Sequence, residues 1–105
     1  MATREFAGAS VDVDTDGFLV DAEQWSKGIA QAIADEVGVG ALGEKHWQVI
    51  EFCRTDAKEQ GQSPGLRRIS KMSGVAMKEL YQLFPKGPGK LAAMVAGLPK
   101  PKACI

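Results

Sequence analysis

The residue best suited to covalent chemistry is Cys104, which stands one position before Ile105 at the end of the chain. Its thiolate would be a strong nucleophile, although at the reference pKa of about 8.5 only a few per cent of a thiol is ionised at pH 7. Lys100 and Lys102 favour the thiolate, whereas the neighbouring terminal carboxylate opposes it, so the direction of the net effect stays open. The position alone is equally compatible with an incidental residue on a frayed end.

The segment that must position this thiol is a helix followed by an extended arm. Pro88 can begin the helix and Gly97 can end it, because proline is favoured at the first helical position and glycine just past the last. Pro99 then keeps the helix from resuming. Because Leu98 offers little apolar area, we expect a mobile arm over residues 98–105 on a body of residues 1–97.

Alanines on the helix before the arm are expected to give one helix face only small side chains, so that the arm or a partner could approach it closely. Alanine is also simply a good helix former. Lys90, Ala93 and Gly97 are expected to run along its surface, with Leu91, Met94 and Val95 buried.

The rest of the chain predicts a single domain of mainly α (α+β) class. It is expected to be a small helical bundle with an N-terminal β-hairpin in residues 1–20, an internal helix-turn-helix in residues 63–84 and the flexible C-terminal arm. In the hairpin, residues 6–13 and 18–20 are the expected strands, and Asp14-Thr-Asp-Gly17 is the expected turn. The acidic residues of this turn are interpreted as solvated, with calcium as a remote alternative.

Two helices precede the helix-turn-helix. Asp21 is expected to cap a short turn and Ser26 the first helix, on which Ile29, Ile33 and Val37 recur every four residues. The second and longest helix is predicted from residue 44 to about residue 60, with an inner face formed by Trp47, Ile50, Cys53 and Ala57. Cys53 is therefore expected to pack as a small apolar side chain, and His46 to be a partly exposed polar residue.

In the helix-turn-helix, Ser63 is the expected cap, Pro64 the first helical residue and Ser73-Gly74 the turn. The frame of residues 69–84 resembles the reading head of TetR-type repressors. In a nucleic-acid-binding alternative, base edges would be approached by Met77, Lys78 and Tyr81, and phosphates would be held by Arg67, Arg68 and Lys71. Because few of these side chains read bases and no dimerisation region follows, we favour a compact packing role for the two helices.

The chain is neutral overall but strongly polarised. Residues 1–63 hold five Lys/Arg against twelve Asp/Glu, a net charge of −7, and residues 64–105 hold eight against one, a net charge of +7. The basic half favours an anionic partner, unless the two halves simply neutralise each other across the fold. The candidate docking residues are Arg67, Lys71, Lys86, Lys90, Lys100 and Lys102.

Composition argues against several other classes. With one histidine and no cysteine cluster, we predict no metal site and no cofactor. No apolar run is long enough to span a bilayer, and the N-terminal residues show no signal-peptide core, so we expect a cytoplasmic protein.

Several motifs resemble the DsrC/TusE family of small sulfur-relay proteins. The most specific is C-terminal: Leu-Phe-Pro-Lys-Gly-Pro-Gly-Lys at 83–90, Ala-Gly-Leu-Pro-Lys-Pro at 96–101, then Cys104 and one apolar residue. Further matches are Asp-Gly-Phe-Leu at 16–19, Gln-Trp-Ser at 24–26, His-Trp-Gln-Val-Ile at 46–50 and Ser-Pro-Gly-Leu-Arg at 63–67. The resemblance implies that Cys104 accepts sulfur as a persulfide and passes it to a partner protein.

Ala93 stands where family members that serve dissimilatory sulfite reductase carry a second cysteine. The resemblance therefore points to the one-cysteine branch, similar to TusE, which relays sulfur toward 2-thiouridine in tRNA. The uninterrupted run from Val75 to Leu80 is instead more similar to the sulfite-reductase partners, so a specialised paralogue is also considered.

The predicted function is a sulfur-carrier protein that works only with donor and acceptor proteins of Tus or Dsr type, in indirect contact with tRNA, and that is a monomer when free. The alternatives are a helix-turn-helix regulator of nucleic acid, or a DsrC-like regulatory partner of dissimilatory sulfite reductase.

Overall fold

The computed structural model of the chain describes residues 2–100 and confirms the predicted small helical fold with an N-terminal hairpin. Its elements are β1 (Ala2–Phe6), β2 (Ala9–Val13), a short helical turn (Ala22–Gln24), α1 (Lys27–Glu36), α2 (Glu44–Gln60), α3 (Leu66–Met72), α4 (Met77–Leu83) and α5 (Pro88–Val95). Among the described residues, no helix has the length and apolar character needed to cross a membrane.

The hairpin turns at a different place from the one predicted. Strands β1 and β2 pair antiparallel, with Phe6 opposite Ala9, so the tight turn is Ala7-Gly8. Both turn residues have positive φ, 52° and 80°, which matches the twist of adjacent strands. The predicted strand over residues 6–13 therefore contains the turn itself.

The acidic turn at residues 14–17 does exist, but it leads only to a single bridge between Val13 and Leu19. The Asp14 carboxylate accepts hydrogen bonds from the backbone N–H groups of Asp16 and Phe18, at 2.9 and 3.0 Å. This local bonding organises the turn. Residues 18–20 do return beside the end of β2, where the N–H of Asp14 donates to the Phe18 carbonyl and the N–H of Val20 donates to the Asp12 carbonyl. They form only this bridge, however, and not the full strand that the sequence suggested.

Helix α5 lies at the centre of the fold and contacts each of the other four helices. Its residues are buried with one exception, Lys90, which is exposed. A helix that is apolar on all sides requires such surroundings. The expected surface position of Ala93 and Gly97 is therefore wrong: Ala93 is fully buried, and the small alanine face is covered by neighbouring helices.

The predicted helix starts are partly correct. Asp21 accepts from the N–H of Glu23, and Ser26 caps α1 through the N–H of Ile29, as expected. In contrast, α3 begins at Leu66 after Gly65, so Ser63 is not its cap and Pro64 is not its first residue. The two short helices α3 and α4 are joined through the expected Ser73-Gly74 turn.

Candidate functional site

The candidate site is the root of the C-terminal arm, residues 97–100, where the chain leaves α5. Cys104 and Lys102, predicted to carry and support the sulfur chemistry, lie outside the described residues. The structure instead shows how the body holds the chain that leads to them.

The end of α5 forms a Schellman motif. The N–H of Leu98 donates to the carbonyl of Ala93 at 3.0 Å, and the N–H of Gly97 donates to the carbonyl of Met94 at 3.1 Å. Gly97 has φ of +71°, a conformation that glycine adopts at little cost. The motif turns the chain sharply away from the helix axis and fixes the direction in which the arm departs.

Gly97 is also required because of its surroundings. A Cβ atom at this position would lie less than 3.0 Å from three atoms of the Trp25 side chain. The indole of Trp25 therefore packs directly against the backbone of the turn. Any larger residue at position 97 would displace this ring.

Trp25 and Arg54 together satisfy carbonyl groups at the end of α5. The indole N–H of Trp25 donates to the Val95 carbonyl at 2.9 Å, and the Arg54 guanidinium donates to the Ala96 carbonyl at 2.8 Å. Arg54 also donates to the Ala22 carbonyl at 3.0 Å and lies 4.2 Å from the centre of the Trp25 ring. The last carbonyls of a helix otherwise lack partners, so this pair stabilises the point where the arm begins.

The charge of Arg54 suits its position. A cation near the C-terminal end of a helix interacts favourably with the helix dipole. Partial burial lowers the pKa of Arg54 from its usual value. An arginine nevertheless stays protonated in proteins, so the interaction persists at physiological pH.

The first residues of the arm are held by the body, contrary to the expectation that Leu98 would not tie it down. Leu98 is 3% exposed and belongs to the core. The buried Ser63 hydroxyl donates to the Pro99 carbonyl at 2.6 Å. Lys100 forms an ion pair with Asp16 at 3.0 Å, which links the arm to the acidic turn of the hairpin. The predicted mobility of the arm thus stays a prediction for residues 101–105 alone.

A groove of about 460 Å³ lies at the arm root. It is lined by residues of the short helical turn, the C-terminal half of α2 and the following loop, together with Leu98 and Pro99. Arg54 and Lys58 are its basic side chains and Glu23 is its acidic one. The arm therefore begins along the wall of an open groove with a mixed polar surface.

The remaining predicted docking residues are exposed, but they lie on three different segments of the chain. Arg67 and Lys71 are exposed on α3, Lys86 is exposed between α4 and α5, and Lys90 is exposed on α5. None of the four forms an ion pair with another residue in the range 2–100.

Arg68 has a structural partner. Its guanidinium makes two hydrogen bonds, at 2.8 and 2.7 Å, to the carboxylate of the buried Asp56. The interpretation of Arg68 as a phosphate-binding residue is therefore not supported, because this group is already paired within the fold.

The second thiol of the chain, Cys53, is shielded. Its side chain is fully buried in the core, as the helical pattern predicted. Burial, and to a smaller extent the nearby Asp56 carboxylate, raise the pKa of Cys53 to about 12. The thiol is thus neutral and inaccessible at physiological pH, which excludes it from nucleophilic chemistry in the folded protein.

His46 has a structural role as well. Its Nδ1 atom accepts from the N–H of Gly43 at 3.1 Å, so Nε2 carries the proton that it donates to the Leu83 carbonyl at 3.0 Å. The ring also meets the edge of Phe84 at a centroid distance of 5.3 Å. His46 therefore fastens the start of α2 to the end of α4 and is half-buried, in agreement with the expectation of a partly exposed polar residue.

Sequence reasoning did not assign functional roles to four of the residues that hold the arm root. Trp25, Arg54, Ser63 and Asp16 come from four separate segments, and each acts on a backbone or side-chain group of residues 95–100. Arg54 does follow Ile50 by four residues, so it shares a helix face with a core position. That spacing was the available signal that its guanidinium is directed toward the body.

Comparison with known proteins agrees with the motifs. The family model described as "DsrC like protein" matches residues 5–105. The chain belongs to the DsrC family.

Similar proteins include both branches suggested by the motifs. The chain is 38% identical over 105 residues to the sulfite reductase, dissimilatory-type subunit gamma, of Nitratidesulfovibrio vulgaris, with full coverage of both chains. It is 41% identical over 108 residues to the sulfurtransferase TusE of Pectobacterium atrosepticum, covering 96% of this chain and 98% of the relative.

A solved structure agrees with the sequence relatives. The crystal structure of dissimilatory sulfite reductase I (DsrI) superimposes with a TM-score of 0.87 at 42% identity, covering 99% of this chain and 100% of that one. The predicted sulfur-relay family is confirmed, and the relatives do not favour a helix-turn-helix regulator.

Proposed function

We propose that this DsrC-family protein is a sulfur carrier that accepts a persulfide sulfur on Cys104 and relays it to a partner protein. The observation that carries the proposal is the held arm root: four side chains from the body hold residues 95–100, just before the family's penultimate cysteine. Such a root would present the thiol from a defined point on the surface.

The transfer balances without an external oxidant or reductant. The Cys104 thiolate attacks the outer sulfur of a donor persulfide, a new S–S bond forms at Cys104, and the donor cysteine leaves as a thiolate. A nucleophile of the acceptor then attacks the same outer sulfur, and Cys104 leaves as a thiolate. Both steps follow the rules of thiol–disulfide exchange, in which thiolate fraction and access set the rate.

The ion pair of Lys100 limits the reach of the arm. With Lys100 paired to Asp16, Cys104 is four positions farther along the chain, so its Cα atom can lie at most about 14 Å from that of Lys100. The partner must therefore approach the arm root closely, and surface residues near the root would take part in docking.

The proposal for the pathway has a general part, the class of partner proteins, and a specific part, the branch of the family. The relatives' names support partners in sulfur relay or in dissimilatory sulfite reduction. We propose the one-cysteine, TusE-like role, with tRNA contacted only through the acceptor protein, because Ala93 supplies no second thiol and is fully buried. The protein is proposed to act as a monomer when free.

Mass spectrometry of the intact protein after incubation with an inorganic polysulfide tests the proposal. The wild type and Cys53→Ala are expected to gain the mass of one sulfur atom, and Cys104→Ser is expected to gain none. A gain that survives Cys104→Ser, or no gain in the wild type, would contradict the proposed carrier role.

A further inference from the structure

A second groove, of about 590 Å³, lies between the C-terminal end of α2, the start of α3 and α4. Its apolar part is formed by Leu66, Met77 and Tyr81, and its polar part includes the amides of Gln60 and Gln62. Tyr81 is 53% exposed, and Met72 at the end of α3 is 55% exposed. Among the described residues, Val20 is the other large apolar side chain that is exposed, so Met72 and Tyr81 stand out on this surface.

The charge beside this groove is positive. Arg67 lines it, and Lys71 lies one helical turn farther along the same face of α3. Lys78 follows on α4, and no residue in the range 2–100 forms an ion pair with any of these three cations.

Local acids cancel these cations only in part. Besides Asp56, Glu59 lies close enough to Arg68 in the lining to raise the pKa of that guanidinium, so it lowers the net positive charge beside the groove. Asp56, also in the lining, is neutralised by Arg68 through two hydrogen bonds. On α4, Glu79 is paired with Lys45 at 3.5 Å. Three cations without ion pairs within residues 2–100, against Glu59, leave the groove with an apolar floor and a net positive charge, a combination that fits an acidic surface with an apolar side chain.

The groove is continuous with the arm root. Gln62 and Ser63 line both this groove and the one below the arm, and the Ser63 hydroxyl holds the Pro99 carbonyl. A molecule seated in the groove would therefore lie beside the arm root at Pro99, from which the chain leads on to Cys104. This position is where the short reach of the arm requires the sulfur-exchanging partner to be.

We propose that this groove docks the partner protein that exchanges sulfur with Cys104, with an apolar side chain of the partner between Met77 and Tyr81 and partner carboxylates on Arg67 and Lys71. The inference rests on the proposed carrier function and names where the partner binds. A protein fits better than a nucleic acid, because the concave apolar floor admits a side chain, whereas nucleic acid requires a denser row of cations along a backbone track.

Site-specific photo-crosslinking in cells of the source organism tests the location. A benzophenone amino acid in place of Tyr81 is expected to give a protein adduct, whereas the same group in place of the exposed Ala41 is expected to give none. The proposal is overturned by an adduct that nuclease removes, by an adduct to a second copy of this chain or to its own residues 101–105, or by no adduct at position 81.

The captured protein must then be purified and shown to exchange radioactive sulfur with Cys104. We expect Arg67→Glu/Lys71→Glu to slow this exchange by about tenfold or more, because like charges would meet at the interface. The matched comparison is Lys86→Glu/Lys90→Glu, which makes the same change in net charge at two exposed residues that the sequence also suggested for docking but that do not line this groove. The proposed surface requires this second variant to exchange sulfur at close to the wild-type rate. An equal slowing by both double variants, or no slowing by the first, overturns the proposed surface.

Loading of Cys104 by inorganic polysulfide separates this proposal from the carrier function. Both double variants are expected to load as fast as the wild type, because that reaction needs no docking. If Cys104 does not load in the wild type, the carrier function has failed. If it loads and the captured protein does not exchange sulfur with it, the docking proposal alone has failed.

Discussion

The thiol of Cys53 shows how a side chain that is reactive in water becomes unreactive when it is buried. The side chain is fully buried, and its pKa is raised to about 12 by burial and by Asp56. The helical spacing of Trp47, Ile50 and Cys53 was sufficient to predict this core position. The Asp56–Arg68 pair beside it was not predictable, because Arg68 comes from a helix whose placement depends on the whole fold.

The raised pKa of Cys53 predicts a specific dependence of stability on pH. The neutral thiol is favoured in the folded state, so its contribution is complete below the unfolded pKa near 9.0 and is lost as pH rises toward 12. The difference in unfolding free energy between wild type and Cys53→Ala should therefore shrink by up to about 1.4 kcal/mol per pH unit above pH 9. Urea unfolding of both proteins between pH 8 and about 10.5 measures this difference in unfolding free energy. A constant difference would contradict the prediction.

Gly97 is expected to be far more sensitive to substitution than another glycine of similar conformation. Gly97 and Gly61 have φ of +71° and +75°, but a Cβ would meet Trp25 only at Gly97 and would find no atom within 4 Å at Gly61. Gly61→Ala should cost about 1 kcal/mol through backbone strain alone. Gly97→Ala should cost a further ~1–3 kcal/mol, because the Trp25 ring must move. Chemical denaturation of the pair provides the comparison, and equal losses would contradict the contact.

At the scale of elements, the hairpin shows why turn chemistry misled the sequence interpretation. Asp14-Thr-Asp-Gly17 has the stronger turn composition, yet the tight hairpin turn is Ala7-Gly8. An alanine with φ of 52° is uncommon, so composition alone does not indicate this turn. The pairing of β1 with β2, rather than local preference, determines it.

This turn predicts a stabilising substitution. Asparagine tolerates positive φ better than alanine, and Asn-Gly is the preferred pair in such two-residue turns. Ala7→Asn should therefore raise the unfolding free energy by about 0.5 kcal/mol. As a control, Ala9→Asn in strand β2 should be neutral or destabilising, since asparagine is disfavoured in strands. A lower melting temperature for Ala7→Asn would contradict the turn assignment.

The start of α3 illustrates a second limit of local patterns. Ser63-Pro64 is a good helix-start signal, but the helix begins at Leu66 and the Ser63 hydroxyl donates to Pro99 instead. A hydroxyl group that fits a cap also fits any nearby carbonyl, and the sequence separation of 36 residues between these partners is invisible to local reasoning. The actual partner places Ser63 in the candidate site.

At the scale of the whole molecule, the division between body and arm is predicted to fall after Lys100. Deleting residues 101–105 should shift the melting temperature by less than about 2 °C, because the described contacts of the arm root are retained. Deleting residues 98–105 also removes Leu98 from the core, a loss of about 2 kcal/mol, which corresponds to about 8 °C or more in a domain of this size.

Calorimetry of the two truncated proteins decides between these boundaries. Both should fail to accept sulfur from inorganic polysulfide, because both lack Cys104. Equal melting temperatures would instead support a boundary at Gly97, which the sequence alone suggested.

The family and the succession of helices were predictable because each depends on local information. The motifs at 83–90 and 96–101 are long and specific, and periodic apolar residues marked α1 and α2. The central position of α5 and the contacts that hold the arm root depend on how distant segments meet. Those contacts join residues such as Trp25 and Val95, which are 70 positions apart.

The burial of α5 among the four earlier helices also has a consequence for biosynthesis. Because α5 follows α1 to α4 in the chain, a nascent polypeptide on the ribosome lacks its central helix until translation has passed residue 95. Prematurely terminated products without α5 would expose apolar surface and become substrates for proteolysis. Proteolysis would thereby remove incomplete chains, all of which also lack Cys104.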